Sequence, residues 1–319
     1  MRLLRMTSGL LVATLVGLGL AACHSGAGRA ATAPTNSSSA AAPTTSPATT
    51  SPATAYSTTT SPTTTSSVTA PTATTARPSP ATQDVRVYLL RGDKLDVAHR
   101  SVVATQGIAA AAMAELLAGP TPAETASGLA TTVPAGTRLI GIDVAGGTAT
   151  VDLSGGFASG GGSLSMTARL AQVTFTLTQF PTVTGVVFRL DGQPVTVFGG
   201  EGLILDHPAN RASFETLTPP ILVESPGPGW ATQSPVRVTG SANVFEAQFQ
   251  AEVTDATGAV LARQSIHATS GSGTRGSFDA SIAYHLTAGG PATLSVYDTS
   301  PKDGSRVDVV QIPLYLLAA

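Results

Sequence analysis

Between Ser25 and about Thr82 the chain is built almost wholly from Ala, Thr, Ser and Pro, with Tyr56 as its only aromatic residue and Arg29 and Arg77 as its only charges. Such a stretch has too few apolar side chains to bury, and nothing offsets an ordering cost of about 1 kcal/mol or more per residue. It cannot fold alone. Everything compact must therefore be made from the residues that follow. Repeated Ser-Pro and Thr-Ser-Pro units favour extended polyproline conformations, so about 60 residues span nearly 190 Å when fully extended and roughly 45 Å as a random coil. The composition fits a stalk, either a bare spacer or one O-glycosylated on its many Thr and Ser residues.

Ahead of this stretch stand Arg2 and Arg5, an uncharged apolar run from about Leu10 to Leu20, and then Leu20-Ala21-Ala22-Cys23. A basic start, a short apolar run and small residues before a cysteine read as a lipoprotein signal peptide, residues 1–22, cleaved between Ala22 and Cys23. The Cys23 thiol is then the acyl acceptor, and the membrane partner is the bilayer, through diacylglycerol on Cys23. A spanning helix is the other reading, but the run falls short of the roughly 20 residues that crossing hydrocarbon requires. The expected location is the outer face of the cytoplasmic membrane.

Cys23 is the only cysteine. An exported chain with no second thiol has no internal disulfide, so folding must rest on packed cores, and cysteine nucleophiles, zinc knuckles and iron-sulfur ligation drop out. The formal charge is -2, and loss of Arg2 and Arg5 with the leader makes it -4. This mildly acidic balance gives no footprint for nucleic acid and no polybasic patch for anionic lipid. Lys94 and Lys302 are the only lysines, a sign of GC-rich coding bias.

Order is predicted from Asp84. Val85, Val87 and Leu89 alternate with polar neighbours, and a second strand is expected over Leu95 to Val103. A helix is predicted from about Gln106 to Ala118, stopped by Gly119-Pro120. Thr121-Pro122-Ala123-Glu124 has the form of a capping box with proline at the first helical position. Leu139 to Val144 and Thr148 to Leu153 flank Gly146-Gly147 and should pair as a hairpin. From Ser163 a longer helix carries Leu170, Val173, Leu177 and Phe180 on one face, and Pro181 closes it. Val186 to Leu190 and Val195 to Val197, joined through Asp191-Gly192, form a second expected hairpin. Hairpins mixed with helices imply an α+β domain over 84–205.

After a connector containing Pro208, Pro219 and Pro220 the helical period disappears. Strands are predicted near Ile221 to Ser225, Pro235 to Thr239, Phe245 to Thr254, Ala259 to His267, Ser277 to Leu286, Ala292 to Asp298 and Arg306 to Leu316. In these, Phe245, Ala247, Phe249, Ala251 and Val253 should share the core face, as should Phe278, Ala280, Ile282, Tyr284 and Leu286. Alternating strands with turn signals between them fit an immunoglobulin-like β-sandwich over 219–317, without the inter-sheet disulfide.

Leu116-Leu117-Ala118-Gly119-Pro120, Val133-Pro134-Ala135-Gly136-Thr137, Ala149-Thr150-Val151-Asp152-Leu153-Ser154, Thr176-Leu177-Thr178-Gln179-Phe180 and Val186-Val187-Phe188 with Asp191-Gly192 together resemble the GerMN domain. The later blocks Ser234-Pro235-Val236, Ser241 to Glu246, Thr257-Gly258, Gly276-Ser277-Phe278 and Asp303-Gly304 are similar to the immunoglobulin-like domain of bacterial spore germination. The resemblance implies an envelope lipoprotein with an assembly role and no catalytic residues to carry over.

Candidate sites are sparse. Ser154-Gly155-Gly156-Phe157 and Gly160-Gly161-Gly162-Ser163 precede a helix and could present N–H groups to an anion, but they match neither a Walker nor a dinucleotide pattern. The other reading is a flexible loop with Ser163 as N-cap. His24, His99, His207, His267 and His285 show no metal-ligand spacing, so no metal and no cofactor are expected. Asp206-His207 is either a general-base pair or part of the connector. Asp152 and Ser154 stand at a strand end, facing a ligand or lying on the polar side of Val151 and Leu153. Phe245-Glu246 marks either an interaction edge or an apolar-face phenylalanine beside an outward glutamate. Trp230, in Pro226-Gly227-Pro228-Gly229-Trp230, either anchors a partner or covers the end of the sandwich.

The sequence therefore favours a non-enzymatic binding or assembly module whose partner is an envelope protein or wall polymer. The alternative is a hydrolase of peptidoglycan or its glycans, using carboxylates such as Asp152 or Glu201. A solute-binding subunit is a third option, set against by the small size of both domains. The oligomeric state is open.

Overall fold

The computed structural model describes residues 80–200 and 202–318, which belong to one compact unit. Ala22, Cys23, His24, most of the 23–83 stretch and Glu201 lie outside the described residues, and no described helix is long and apolar enough to cross a membrane.

The chain enters through β1 (Thr82–Arg91) and turns at Gly92-Asp93 into β2 (Lys94–Val103), which pairs with it antiparallel along its length. Two helices follow, α1 (Ile108–Ala118) and α2 (Pro122–Ala126); the second carries the expected capping box, Thr121 accepting from the Glu124 N–H and Glu124 from the Thr121 N–H. A short β3 (Leu129–Ala130) returns to the other edge of β1, giving the order β2-β1-β3. A second sheet contains β4 (Leu139–Ala145) and β5 (Thr148–Leu153), the hairpin expected around Gly146-Gly147. The long helix α3 (Ser163–Leu177) then crosses over to β6 (Gly185–Leu190), which lies parallel to β5. Parallel strands need such a crossover. The second expected hairpin is present in short form: β7 (Gln193–Pro194) pairs with the end of β6 around Asp191-Gly192, both at positive φ. A two-stranded ribbon, β8 (Val197–Phe198) with β9 (Leu203–Ile204), completes the domain.

Helix α3 departs from the single buried face read in the sequence. Residues Ala168 to Leu177 are all buried, including Arg169, Gln172, Thr174 and Thr176. The polar stripe has a purpose, because β3 covers only Leu90 and Arg91 on its side of β1. Beyond it, Gln172 Nε2 donates to the Tyr88 carbonyl at 3.0 Å and the Tyr88 N–H donates to Thr176 Oγ1 at 3.2 Å. One turn on, the Arg86 N–H donates to Gln179 Oε1 at 2.8 Å and Gln179 Nε2 to the Arg86 carbonyl at 2.7 Å. Residues 172 and 176 lie on one helical stripe and Gln179 continues it just past the end of α3, so side chains replace the missing strand and satisfy backbone groups that could not be buried unpaired.

A helical stretch, Arg211–Leu217, occupies the expected connector and buries Phe214 and Leu217. The sandwich follows. One sheet is β10 (Ile221–Ser225), β12 (Val236–Ala242) and β15 (Gly276–Ile282), in that order. The other contains β11 (Ala231–Thr232), β13 (Gln248–Asp255), β14 (Val260–His267), β16 (Gly290–Thr299) and β17 (Arg306–Leu316), ordered β11-β17-β16-β13-β14. Phe249 and Phe278 meet edge to face at 5.0 Å between the sheets. Gly240 lies so close to β10 that any Cβ there would stand 2.0 Å from the Leu222 carbonyl oxygen.

Phe245 departs from the expectation. Strand β13 begins only at Gln248; Glu246 and Ala247 before it take φ of 54° and 56°. This left-handed turn breaks the two-residue alternation, and Phe245 points outward at 68% exposure while Phe249, Ala251 and Val253 keep the core face.

Candidate functional site

Strand β10 is where the two domains become one body. Its alternation puts Leu222 in the hydrophobic core of the N-terminal domain, and Ile221 and Val223 in the core of the sandwich. Glu224, next along, is drawn into a buried cluster. The Tyr88 hydroxyl donates to Glu224 Oε1, Arg211 Nη1 reaches the same oxygen at 2.5 Å, Arg211 Nη2 meets the Tyr88 hydroxyl at 3.0 Å, and Arg86 lies 3.7 Å from Oε2. Burial and the neighbouring Glu224 push the Tyr88 phenol up. Burial alone would raise the Glu224 carboxyl as well, but Arg211 and Arg86 outweigh it and hold the group below the usual carboxylate range. Glu215, on the connector, binds Arg275 at 2.8 Å and Asn243 at 2.8 Å from the sandwich side.

Beside this junction the domains enclose a cleft of about 1180 Å³. Residues Lys94 to His99 of β2 line one side, Asp308 to Pro313 of β17 another, and Pro219 to Val223 with Pro226, Pro228 and Trp230 a third, while Arg91 and residues around α2, among them Thr121 and Glu124, close the end next to β2. Trp230 contacts the sandwich core and its ring meets His99 edge to face at 4.8 Å. It is at once a cover on the sandwich and a wall of the cleft. Burial, helped by Arg86, brings the His99 imidazole down to about 4, so this ring is neutral near pH 7.

The other candidate residues lie elsewhere. Asp152 Oδ1 accepts the Gly192 N–H at 3.0 Å, and Asp191 Oδ2 accepts the Gly155 N–H at 3.1 Å. Ser154 is buried and its Oγ accepts the Arg138 N–H at 3.0 Å. All these contacts pin strand ends together; neither Asp152 nor Ser154 lines the cleft with Trp230. Asp206 and His207 approach to 3.7 Å on the exposed surface.

The glycine-rich loop has the opposite polarity to an anion cradle. The buried Arg169 guanidinium donates to the carbonyls of Phe157 and Ser159 at 2.8 Å, Gly160 at 2.7 Å and Thr132 at 2.8 Å. The loop thus turns carbonyl oxygens onto a cation. Gly162, not Ser163, takes the capping position of α3. Among the described residues no group of three or more His, Cys, Asp or Glu is placed to hold a metal ion.

The cleft was not legible in the sequence, because its walls come from β2, the α2 region, β10 and β17, which are distant in the chain. Of its lining residues, Trp230 alone is expected from the sequence to anchor a partner.

Residues 86–196 match the family model described as Sporulation and spore germination, and residues 220–305 match the Immunoglobulin-like domain of bacterial spore germination. Among solved structures, the tandem GerMN domains of the sporulation protein GerM from Bacillus subtilis share 16% identity over 75% of this chain, with a TM-score of 0.37. The chain spans 61% of that structure's length. The first GerMN domain of the same protein shares 23% identity, covering 41% of this chain and 98% of its own, with a TM-score of 0.34. A Clostridium perfringens protein described as a candidate lipoprotein shares 20% identity over 43% of this chain and 93% of its own, with a TM-score of 0.32. A search of curated proteins gives no match.

Proposed function

We propose that this chain, which carries a GerMN domain followed by an immunoglobulin-like domain of bacterial spore germination, is a lipid-anchored binding module of the cell envelope that assembles with a partner and catalyses no reaction. One observation carries the reading: the two domains share β10 and a buried ionic cluster, and the compact unit so made encloses a cleft of about 1180 Å³. That exceeds the roughly 300–1,000 Å³ typical of small-molecule pockets and suits a segment of a larger partner. In this reading Cys23 carries diacylglycerol, and the Ser/Thr/Pro stretch sets how far from the bilayer the cleft works. Confinement to that layer raises the effective concentration of the module for envelope partners.

The alternative, a hydrolase using carboxylates such as Asp152 or Glu201, gains no support at Asp152, whose carboxylate is engaged by the Gly192 amide.

The test is cross-linking of intact envelopes followed by capture of the full chain, compared with a variant lacking the sandwich. A defined partner, an envelope protein or wall polymer, should be recovered with the full chain and lost without the sandwich. Recovery of background alone would refute the reading.

A further inference from the structure

Strands that present a face to a cavity contribute alternate residues to its lining, whereas strands that present an edge contribute consecutive ones. The cleft is lined by consecutive residues from both β2 and β17. Both strands are exposed at an edge. Strand β2 ends its sheet, and β17 is covered on its outer side only by the two-residue β11.

The direction of the backbone groups along β17 follows from the bonds it makes. Gly229 N–H donates to the Pro313 carbonyl, Tyr315 N–H to the Trp230 carbonyl and Leu317 N–H to the Thr232 carbonyl. Odd-numbered residues thus point away from β16. By the same alternation Gln311, opposite Ser295 in the regular part of the ladder, turns its N–H and C=O outward. Pro313 has no N–H to give, so the pairing begun by β11 halts there. Among the described residues no backbone group meets the outer edge at Gln311, which is exposed, as is Val309 at 46%.

The facing edge is guarded. Arg86 and Tyr88 turn their backbone groups toward α3, so their partners across the hairpin, His99 and Val97, turn theirs outward. The Val97 N–H is already held by Asp96 Oδ1 at 2.7 Å, and Asp96 is paired with Arg91 at 2.6 Å. His99 is covered by Trp230. Charged side chains at an edge are a common defence against unwanted pairing. This wall is therefore guarded at Val97 and His99, while the other is open at Gln311.

We infer that the cleft binds an extended segment of another polypeptide, which adds to the outer edge of β17 at Gln311 and prolongs the pairing that β11 starts. An outward N–H and C=O at strand spacing are complementary to another extended backbone, and main-chain bonds then supply affinity while side-chain pockets supply choice. The apolar side chains that line the cleft near this edge are Val309, Pro228 and Trp230, whereas Ile312 is turned into the sandwich core and Asp308, Lys94 and Asp96 bring charge. This inference rests on the binding-module reading and names its partner class as protein, not wall polymer.

The test uses the full chain in detergent, with a phage-displayed random decapeptide library as the probe. Gln311→Pro removes the outward N–H and leaves the bonds to β16 intact, since proline is tolerated on an edge strand. Gln311→Ala keeps the amide. Peptides enriched on the native chain should bind Gln311→Ala within about twofold and Gln311→Pro at least tenfold more weakly. Exchange of the Gln311 amide with deuterium should slow at least tenfold when such a peptide binds, a reading that needs no variant to fold. Equal binding to Gln311→Pro, equal loss in Gln311→Ala or unchanged exchange would overturn strand addition while leaving the module reading intact. So would capture of a wall fragment with no peptide enriched. Neither peptide enrichment nor envelope capture would overturn both.

Discussion

The Tyr88 hydroxyl donates to the Glu224 carboxylate, joining the first strand of the N-terminal domain to the first strand of the sandwich, with Arg211 of the connector bound to both. Three segments distant in sequence thus meet in one buried cluster. Removing one partner of such a buried pair leaves the other uncompensated. Glu224→Gln should lower the unfolding free energy by about 3–5 kcal/mol, and Tyr88→Phe by about 1–3 kcal/mol. Denaturant titration of both and of the double variant gives the coupling. Costs that simply add would show that the two groups act independently.

The same cluster should hold the domains to one unfolding transition. Calorimetry of the native protein should show a single cooperative event, and Glu224→Gln should bring two events, one per domain. A single transition in the variant would mean that β10 packing alone couples them.

Acid should weaken the fold in two windows. His99 has its pKa lowered to about 4 by burial and Arg86, so between the unfolded value near 6.5 and about 4 the unfolded chain binds the extra proton and stability falls as pH falls. From pH 7.5 to pH 5 this amounts to about 2 kcal/mol. Glu224 is depressed instead. Its contribution is fully present above the unfolded carboxylate value near 4.5 and is lost as pH drops through the lower folded value. Unfolding measured at pH 7.5 and pH 5 should therefore differ less in His99→Gln than in the native protein; an identical difference would remove His99 as the cause.

Arg169 should behave as a structural residue. Its guanidinium holds three carbonyls of the glycine-rich loop and that of Thr132, and Arg169→Met leaves them buried without donors at a cost of about 1–3 kcal/mol each where water cannot replace them. The loop amides from Phe157 to Gly160 should lose protection from hydrogen exchange first. Unchanged protection would show that the loop holds itself.

Much of the fold was legible because period alone carries it. Val85, Val87 and Leu89 alternate and form β1; Gly146-Gly147 and Asp191-Gly192 mark their turns; Thr121 and Glu124 cap α2 as their spacing requires. What failed has a physical reason in each case. The parallel pairing of β5 with β6 leaves no local signal, since the partners are joined through α3. The polar stripe Gln172, Thr176 and Gln179 reads as solvent-facing until the incomplete edge of β1 is known to need it. Phe245 keeps the alternation on paper and loses it to two left-handed residues. Trp230 could be singled out as an aromatic among prolines and glycines, but its neighbours His99 and Val309 come from strands that only the folded chain brings near.

A partner seated in the cleft between the domains must touch Val309. The most direct measurement places a photo-cross-linking amino acid at Val309, inside the cleft, and at the exposed Val144 on β4, outside its lining, in cells making the full chain. Illumination should give a discrete higher-mass adduct from position 309 and none from 144. Adducts from 144 alone, or none from either, would show that the cleft is not where the partner binds.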